Sequence, residues 1–144
     1  LEGKWIVLYF YPKDLTPGCT TQACDFTDKH SFYDDLDAVV LGVSPDDTLM
    51  HRKFIDKYDL TITLLSDVSK KICEDYKVWQ LKQFMGKEFM GVVRTTFIIN
   101  PEGKIAAIWD KVSVRKKKSV KGEKIEILHV DEVKEKLQEL QSKN

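Results

Sequence analysis

Two apolar runs constrain the fold of this chain more than any other feature of its sequence. Residues 5–11 are all aromatic, aliphatic or β-branched, and residues 38–43 form a second apolar run that is rich in valine. Strands that are apolar at consecutive positions are typical of a sheet that is covered on both faces. The two runs therefore predict an α/β fold, with helices packed on a central sheet.

The rest of the chain alternates between helical and strand patterns. We expect helices over residues 19–33, 48–58, 68–78 and 131–143, and further strands over residues 61–65, 90–100 and 104–114. Pro101-Glu102-Gly103, between the last two strands, predicts a hairpin. The order β-α-β-α-β-α-β-β-α indicates a layered fold with a mixed sheet. The 144 residues contain no linker and no internal repeat, so we expect residues 1–144 to form one domain.

The composition narrows the function classes. Lysine plus arginine and aspartate plus glutamate both number 23, so the formal net charge is zero and gives no bulk attraction to nucleic acid or to an anionic membrane. Three cysteines are too few to staple a chain of this size, which favours a reducing cytoplasm as its location. Because the chain begins at Leu1 and not at a methionine, we also expect part of the natural N-terminal sequence to be absent.

Cys19 is the candidate nucleophile. It follows a strand, a proline-rich loop and Gly18, and it lies in the first turn of a predicted helix. Unpaired backbone N–H groups and the positive end of the helix dipole favour a thiolate there, and the thiolate is the reactive form of cysteine. Attack by such a thiolate also needs donors for the negative charge that develops on the group it displaces. The Thr16 hydroxyl, the loop amides and a cation from elsewhere in the chain are candidates for that role.

Cys24 lies five residues after Cys19, on the same predicted helix. On an ideal helix, residues at this spacing are roughly 140° apart around the axis, with Cα atoms about 8–9 Å apart. That separation exceeds the roughly 7 Å limit for a disulfide. If the two sulfurs bond, the first helical turn and the segment around Cys24 must therefore unwind.

Other readings of these residues remain open at this point. A thioredoxin-type thiol-disulfide oxidoreductase is one alternative, although such enzymes use the tighter Cys-x-x-Cys spacing. A binding module that uses the basic stretch 115–124 is another, although aromatic residues are not interleaved there. No metal is expected. A structural zinc site needs a second pair of ligands, and none accompanies Cys19 and Cys24 in the sequence. His30, His51 and His129 also do not fit the spacing of metal ligands. Cys73 is expected to be a buried packing residue.

The pattern Pro12-x-x-x-Thr16-x-x-Cys19 resembles the active-site signature of the peroxiredoxins. The fuller string FYPKDLTPGCTTQAC, which covers residues 10–24, is similar to the bacterioferritin-comigratory or Q-type subgroup of that family. The resemblance continues at residues 41–44, 76–79 and 93–99 and so extends over most of the chain. It implies a thioredoxin-like fold, a three-layer sandwich with a mixed central sheet.

The resemblance also implies roles for particular residues. Pro12 would shield the site, Thr16 and Arg94 would hold the peroxide oxygens, and Cys19 would attack and become a sulfenic acid. Cys24 would then resolve that acid by forming an intramolecular disulfide. The implied substrates are hydrogen peroxide and organic hydroperoxides, and thioredoxin or a similar dithiol would recycle the enzyme. The implied cycle needs no metal, flavin or haem cofactor, and Q-type relatives are often monomers.

The sequence departs from the family pattern in two places. The family usually begins with an additional hairpin and strand before Trp5, and the stretch 111–129 is longer and more basic here than usual. Gln22 occupies a position where the subgroup often has an acidic or amide side chain, so its role is open.

Overall fold

The computed structural model describes residues 3–142, and it contains nine strands and five helices over that range. The strands are β1 (Trp5–Phe10), β2 (Ala38–Ser44), β3 (Thr63–Ser66), β4 (Trp79–Phe84), β5 (Lys87–Val92), β6 (Thr95–Ile99), β7 (Ile105–Trp109), β8 (Arg115–Val120) and β9 (Glu123–Leu128). The helices are α1 (Pro17–Asp28), α2 (His30–Asp35), α3 (Thr48–Tyr58), α4 (Lys71–Asp75) and α5 (His129–Ser142).

The central sheet has five strands in the order β3-β2-β1-β6-β7. β1 pairs in parallel with β2, and β2 pairs in parallel with β3, whereas β6 runs antiparallel to both β1 and β7. The prediction of a mixed sheet is therefore confirmed. The two predicted apolar runs form β1 and β2, at the middle of the sheet, where both faces are covered.

Alternate residues of β1 enter two separate clusters of buried side chains. Val7 and Tyr9 pack on one face with residues of α1, α2, α3 and α5. Leu8 and Phe10 pack on the other face with Cys73 of α4 and residues of the β4–β5 region. The sheet thus lies between two layers, as the predicted α/β sandwich requires.

The predicted helix over residues 19–33 is wrong in its extent. α1 ends at Asp28, and Lys29 takes a non-helical conformation before α2 begins at His30. The break lets the buried Tyr33 donate its hydroxyl hydrogen to the carbonyl of Val130 in α5. No proline or glycine marks this break, so the sequence carries no signal for it.

The predicted single strand over residues 90–100 is also wrong. It is divided into the end of β5 and the whole of β6, and Arg94 lies in the connection between them. β4 and β5 form a separate hairpin that the sequence analysis missed. Its turn, Met85-Gly86, has positive φ at both residues, as a type I′ turn requires, and Gly86 is the one residue there that is typical of such a turn.

Most of the basic stretch 115–124 belongs to a second hairpin. β8 and β9 pair antiparallel around Lys121-Gly122, and both of these residues again have positive φ. The side chains at positions 118–120 and 124 lie outside the described residues, as does residue 143 of the predicted last helix. Within residues 3–142, no helix has both the length and the apolar character needed to cross a bilayer.

Candidate active site

Cys19 is the third residue of α1 and is almost fully buried, with 1% of its surface exposed. Thr16 precedes the helix in an extended conformation, and its hydroxyl donates to the carbonyl of Lys13 at 2.8 Å. The Thr16 side chain accepts no capping hydrogen bond from the first helical turn. The positive end of α1 is left directed at the region of the Cys19 sulfur. Pro12 is half-buried at the start of the same loop.

Arg94 contacts the Cys19 sulfur directly. Its Nη2 atom donates to Cys19 Sγ at 3.3 Å, and its Nη1 atom donates to Gln22 Oε1 at 2.6 Å. Gly18 permits this approach, because a Cβ atom at that position would lie 3.1 Å from Arg94 Nη2. The Arg94 guanidinium therefore binds both the Cys19 sulfur and the next turn of the same helix. Arg94 and Cys19 are 75 residues apart in the sequence.

Lys82 of β4 is a second cation near the site that the sequence analysis missed. Its Nζ atom donates to the carbonyl of Val92 at 3.0 Å. Burial and the neighbouring charge of Arg94 lower the pKa of Lys82, while the negative charge of Cys19 acts in the opposite direction. Gly91 makes room for the lysine, since a Cβ atom there would lie 3.1 Å from Lys82 Cδ. Only recognition of the β4–β5 hairpin could have placed this residue near Cys19.

Cys24 lies in the same helix as Cys19, and it is half-buried against the core. Burial raises the pKa of the Cys24 thiol, and the carboxylates of Asp28 and Asp25 raise it further. The folded helix therefore holds Cys24 as a thiol. Both cysteines are free in this structure.

Cys73 has the environment of a packing residue, as expected. It is fully buried, and burial together with a hydrogen bond to Asp67 raises its pKa to about 12. The Asp67 carboxylate also accepts the backbone N–H groups of Ile72 and Cys73, at 3.2 and 2.8 Å. Asp67 thereby holds the start of α4, and Cys73 is kept protonated.

A buried network fixes the loop between β1 and α1. The Asp14 carboxylate accepts hydrogen bonds from the hydroxyl of Tyr11 and from Nδ1 of His51, each at 2.5 Å. The second ring nitrogen of His51 lies 2.9 Å from the carbonyl of Leu65. The backbone N–H of Asp14 donates to Asp46 at 2.7 Å. Both ring nitrogens of His51 face acceptors, an arrangement that favours the doubly protonated ring, paired with Asp14.

The same geometry accounts for the pKa of His51. Burial lowers it, but the hydrogen bond and the charge of Asp14 outweigh burial and raise the pKa above its usual value. Asp14, Asp46 and His51 offer ligand atoms within 4.8 Å of one another. Both ring nitrogens of His51 and the carboxylate of Asp14 have hydrogen-bond partners within the protein, and these bonds tie the loop to α3 and to the end of β3. The residues lie far apart in sequence, which is why no motif revealed the network.

The comparisons with known proteins agree along most of the chain. The AhpC/TSA family matches residues 1–108. Peroxiredoxin Bcp of Bacillus subtilis is 54% identical over 114 residues, which are 79% of this chain and 73% of that protein. Peroxiredoxin Bcp of Escherichia coli is 41% identical over 109 residues, which are 76% of this chain and 70% of that protein.

Solved structures agree with the fold. The bacterioferritin comigratory protein of Xanthomonas campestris, studied for alkyl peroxide reduction, superimposes with a TM-score of 0.81 at 36% identity, over 95% of this chain and 80% of that one. A Cys-to-Ser variant of PrxQ from Xylella fastidiosa superimposes with a TM-score of 0.83 at 34% identity, over 95% of this chain and 77% of that one.

The His51–Asp14 pair predicts a pH-dependent contribution to stability. Since the pKa of His51 is raised in the folded state, its contribution is fully present below the unfolded-state value of about 6.5 and is lost as pH rises through the folded-state value. His51→Gln should lower the free energy of unfolding by about 3 kcal/mol at pH values below about 6.5, and by less at alkaline pH. Urea unfolding between about pH 5 and pH 9 measures the difference.

The exposed His30 provides a matched control. His30→Gln should produce no comparable pH-dependent difference. A deficit for His51→Gln that stays constant across the pH range would contradict the imidazolium assignment.

Proposed function

Because the chain belongs to the AhpC/TSA family and is a thiol-dependent peroxidase of the peroxiredoxin type, we propose that Cys19 is its peroxidatic residue and Cys24 its resolving residue. Peroxiredoxin activity requires a peroxide substrate and a thiol reductant. The thioredoxin-type oxidoreductase considered above is not retained, since relatives that match most of the chain are peroxiredoxins.

The contact between Arg94 and the Cys19 sulfur is the observation that carries this proposal. A guanidinium that donates to sulfur favours the thiolate over the thiol. The thiolate attacks the nearer peroxide oxygen, an S–O bond forms as the O–O bond breaks, and the departing oxygen takes a proton to leave as water or an alcohol. Cys19 is oxidised by two electrons to a sulfenic acid.

The remaining site residues bind the peroxide in this proposal. Arg94 stabilises the charge that develops on the oxygens, and Thr16 provides a hydroxyl at the same end of α1 once its bond to Lys13 is exchanged for one to substrate. Pro12 shields the sulfur from water. Gln22 holds the guanidinium in place through its Oε1 atom.

The resolving step requires α1 to open. Cys24 attacks the sulfur of the sulfenic acid, an S–S bond forms, and the S–O bond breaks to release water. One intact helix keeps the two Cα atoms about 8–9 Å apart, beyond disulfide reach. Leaving the helix also takes Cys24 away from the burial that raises its pKa, so unwinding releases a more reactive thiol.

The finer physiological assignments are also proposals. We infer that hydrogen peroxide and organic hydroperoxides are both substrates, since the Xanthomonas campestris relative was studied for alkyl peroxide reduction. A dithiol such as thioredoxin returns the disulfide to two thiols. We propose that the protein acts as a monomer in the cytoplasm, a compartment in which thiols are kept reduced.

Cysteine substitutions separate the two proposed roles. Cys19→Ser should abolish peroxide turnover, because no other thiol lies at the start of α1. Cys24→Ser should reduce one equivalent of peroxide and then stop when thioredoxin is the reductant. Steady-state turnover and peptide mass spectrometry after one equivalent of hydrogen peroxide measure both effects.

Cys73→Ser is the matched control, and it should leave turnover and the disulfide unchanged. If Cys24→Ser kept the full rate of thioredoxin-driven turnover, Cys24 would not be the resolving residue.

Arg94 should contribute chiefly to the first chemical step. Arg94→Lys keeps a positive charge but loses the fork that spans Cys19 and Gln22, so the second-order rate of Cys19 oxidation should fall about 10²- to 10³-fold. Stopped-flow mixing with hydrogen peroxide measures that rate. Arg52→Lys, at an exposed position of α3, is the control and should react at the parent rate. An unchanged rate for Arg94→Lys would contradict the role given to the guanidinium.

A further inference from the structure

The β8–β9 hairpin lies in the part of the chain that departs from the family pattern. The family match ends at residue 108, and β8 begins at Arg115. Nothing in the proposed chemistry above uses this hairpin. Its first residue nevertheless contacts the helix that carries both reactive cysteines.

Arg115 forms a two-pronged ion pair with Asp25 of α1. Its Nη2 atom donates to Asp25 Oδ1 at 2.7 Å, and its Nε atom donates to Asp25 Oδ2 at 3.2 Å. The third contact of the guanidinium, from Nη1 to Glu126 Oε1 at 3.1 Å, remains within the hairpin. Two parallel hydrogen bonds to one carboxylate form the strongest common geometry for an arginine pair.

The two partners of the pair differ in exposure. The Asp25 side chain is 2% exposed, whereas that of Arg115 is 43% exposed. A buried carboxylate is costly unless a cation and hydrogen bonds compensate it. Arg115 therefore stabilises Asp25 in its present position, and with it the folded form of α1 around that residue.

Asp25 directly follows Cys24 in the chain. Cys24 cannot reach Cys19 unless its segment leaves the helix, and adjacent Cα atoms are only about 3.8 Å apart. Moving Cys24 toward the active site therefore displaces the backbone of Asp25. The buried carboxylate can follow only if it separates from Arg115.

We propose that Arg115 is a positioning residue that holds the Cys24 segment folded and thereby sets the rate of the resolving step. This inference rests on the proposed roles of Cys19 and Cys24. Separation of Asp25 from Arg115 precedes disulfide formation, and the pair reforms when the disulfide is reduced.

The pair also controls a competition at the oxidised sulfur. While α1 stays folded, the sulfenic acid of Cys19 can meet a second peroxide molecule. In that reaction an S–O bond forms, the peroxide O–O bond breaks, and sulfur is oxidised by two more electrons to a sulfinic acid, with water or an alcohol released. A tighter hold on Asp25 therefore increases overoxidation, and a weaker hold favours the disulfide.

The test compares Arg115→Gln with Glu126→Gln in the full chain. Both variants remove one charge from the hairpin, but only the first releases Asp25. After one equivalent of hydrogen peroxide, rapid acid quenching and mass spectrometry follow the sulfenic acid and the Cys19–Cys24 disulfide separately. Arg115→Gln should form the disulfide about three- to tenfold faster than the parent chain, with an unchanged rate of sulfenic acid formation. Glu126→Gln should match the parent in both steps.

Asp25→Asn removes the same ion pair by changing its partner in α1. It should also accelerate the disulfide step, both by releasing the segment from Arg115 and by removing a charge that raises the pKa of the Cys24 thiol. Adding Arg115→Gln to Asp25→Asn should give no further gain, because the ion pair is already lost. With excess peroxide, Arg115→Gln should accumulate less sulfinic acid than the parent.

Four results would overturn the inference. They are an unchanged disulfide rate in Arg115→Gln, equal acceleration in Glu126→Gln, full additivity in the double variant, or an equal change in the first oxidation step. Absence of a Cys19–Cys24 disulfide in the parent chain would be a separate failure, since it would refute the proposed resolving role itself.

Discussion

The contact between the Arg94 guanidinium and the Cys19 sulfur is the interaction on which the active site depends. It joins the connection between β5 and β6 to the start of α1, and the same guanidinium also binds Gln22 one turn later. The central sheet makes this possible, because β1 delivers the loop that leads to α1 and pairs with β6, which follows Arg94. A Cβ atom at position 18 would lie 3.1 Å from Arg94 Nη2, so the glycine at this position leaves room for the guanidinium beside Cys19.

The proposed mechanism places two opposing requirements on helix α1. In that mechanism, attack on peroxide needs Cys19 fixed beside Arg94, whereas the disulfide needs the segment around Cys24 to leave the helix. Phe26, fully buried and stacked on Tyr9 with ring centroids 4.8 Å apart, anchors the helix to the sheet. The cations of Arg94 and Arg115 hold Gln22 and Asp25, on either side of Cys24 in the sequence. If the proposed resolving step occurs, the contact of Asp25 with Arg115 must be broken and reformed in every cycle.

The sequence predicted the parts of this structure that local patterns encode. The buried strands β1 and β2, and helix α3 with its bounds, follow from apolar runs and periodicity. The motif around Cys19 pointed to the family. The break at Lys29 could not be predicted from local patterns, because no glycine or proline marks it. The His51–Asp14 pair joins residues 37 apart, and only the tertiary fold reveals such a pair.

The central claim is that the Arg94 guanidinium, through its direct contact with the Cys19 sulfur, favours the thiolate that attacks peroxide. A chain carrying Cys24→Ser and Cys73→Ser retains a single thiol, and the ultraviolet absorbance of a thiolate then reports on Cys19 alone. At one pH, this absorbance should be larger in that chain than in the same chain with Arg94→Gln added. Equal absorbance in the two chains would contradict the role given to Arg94.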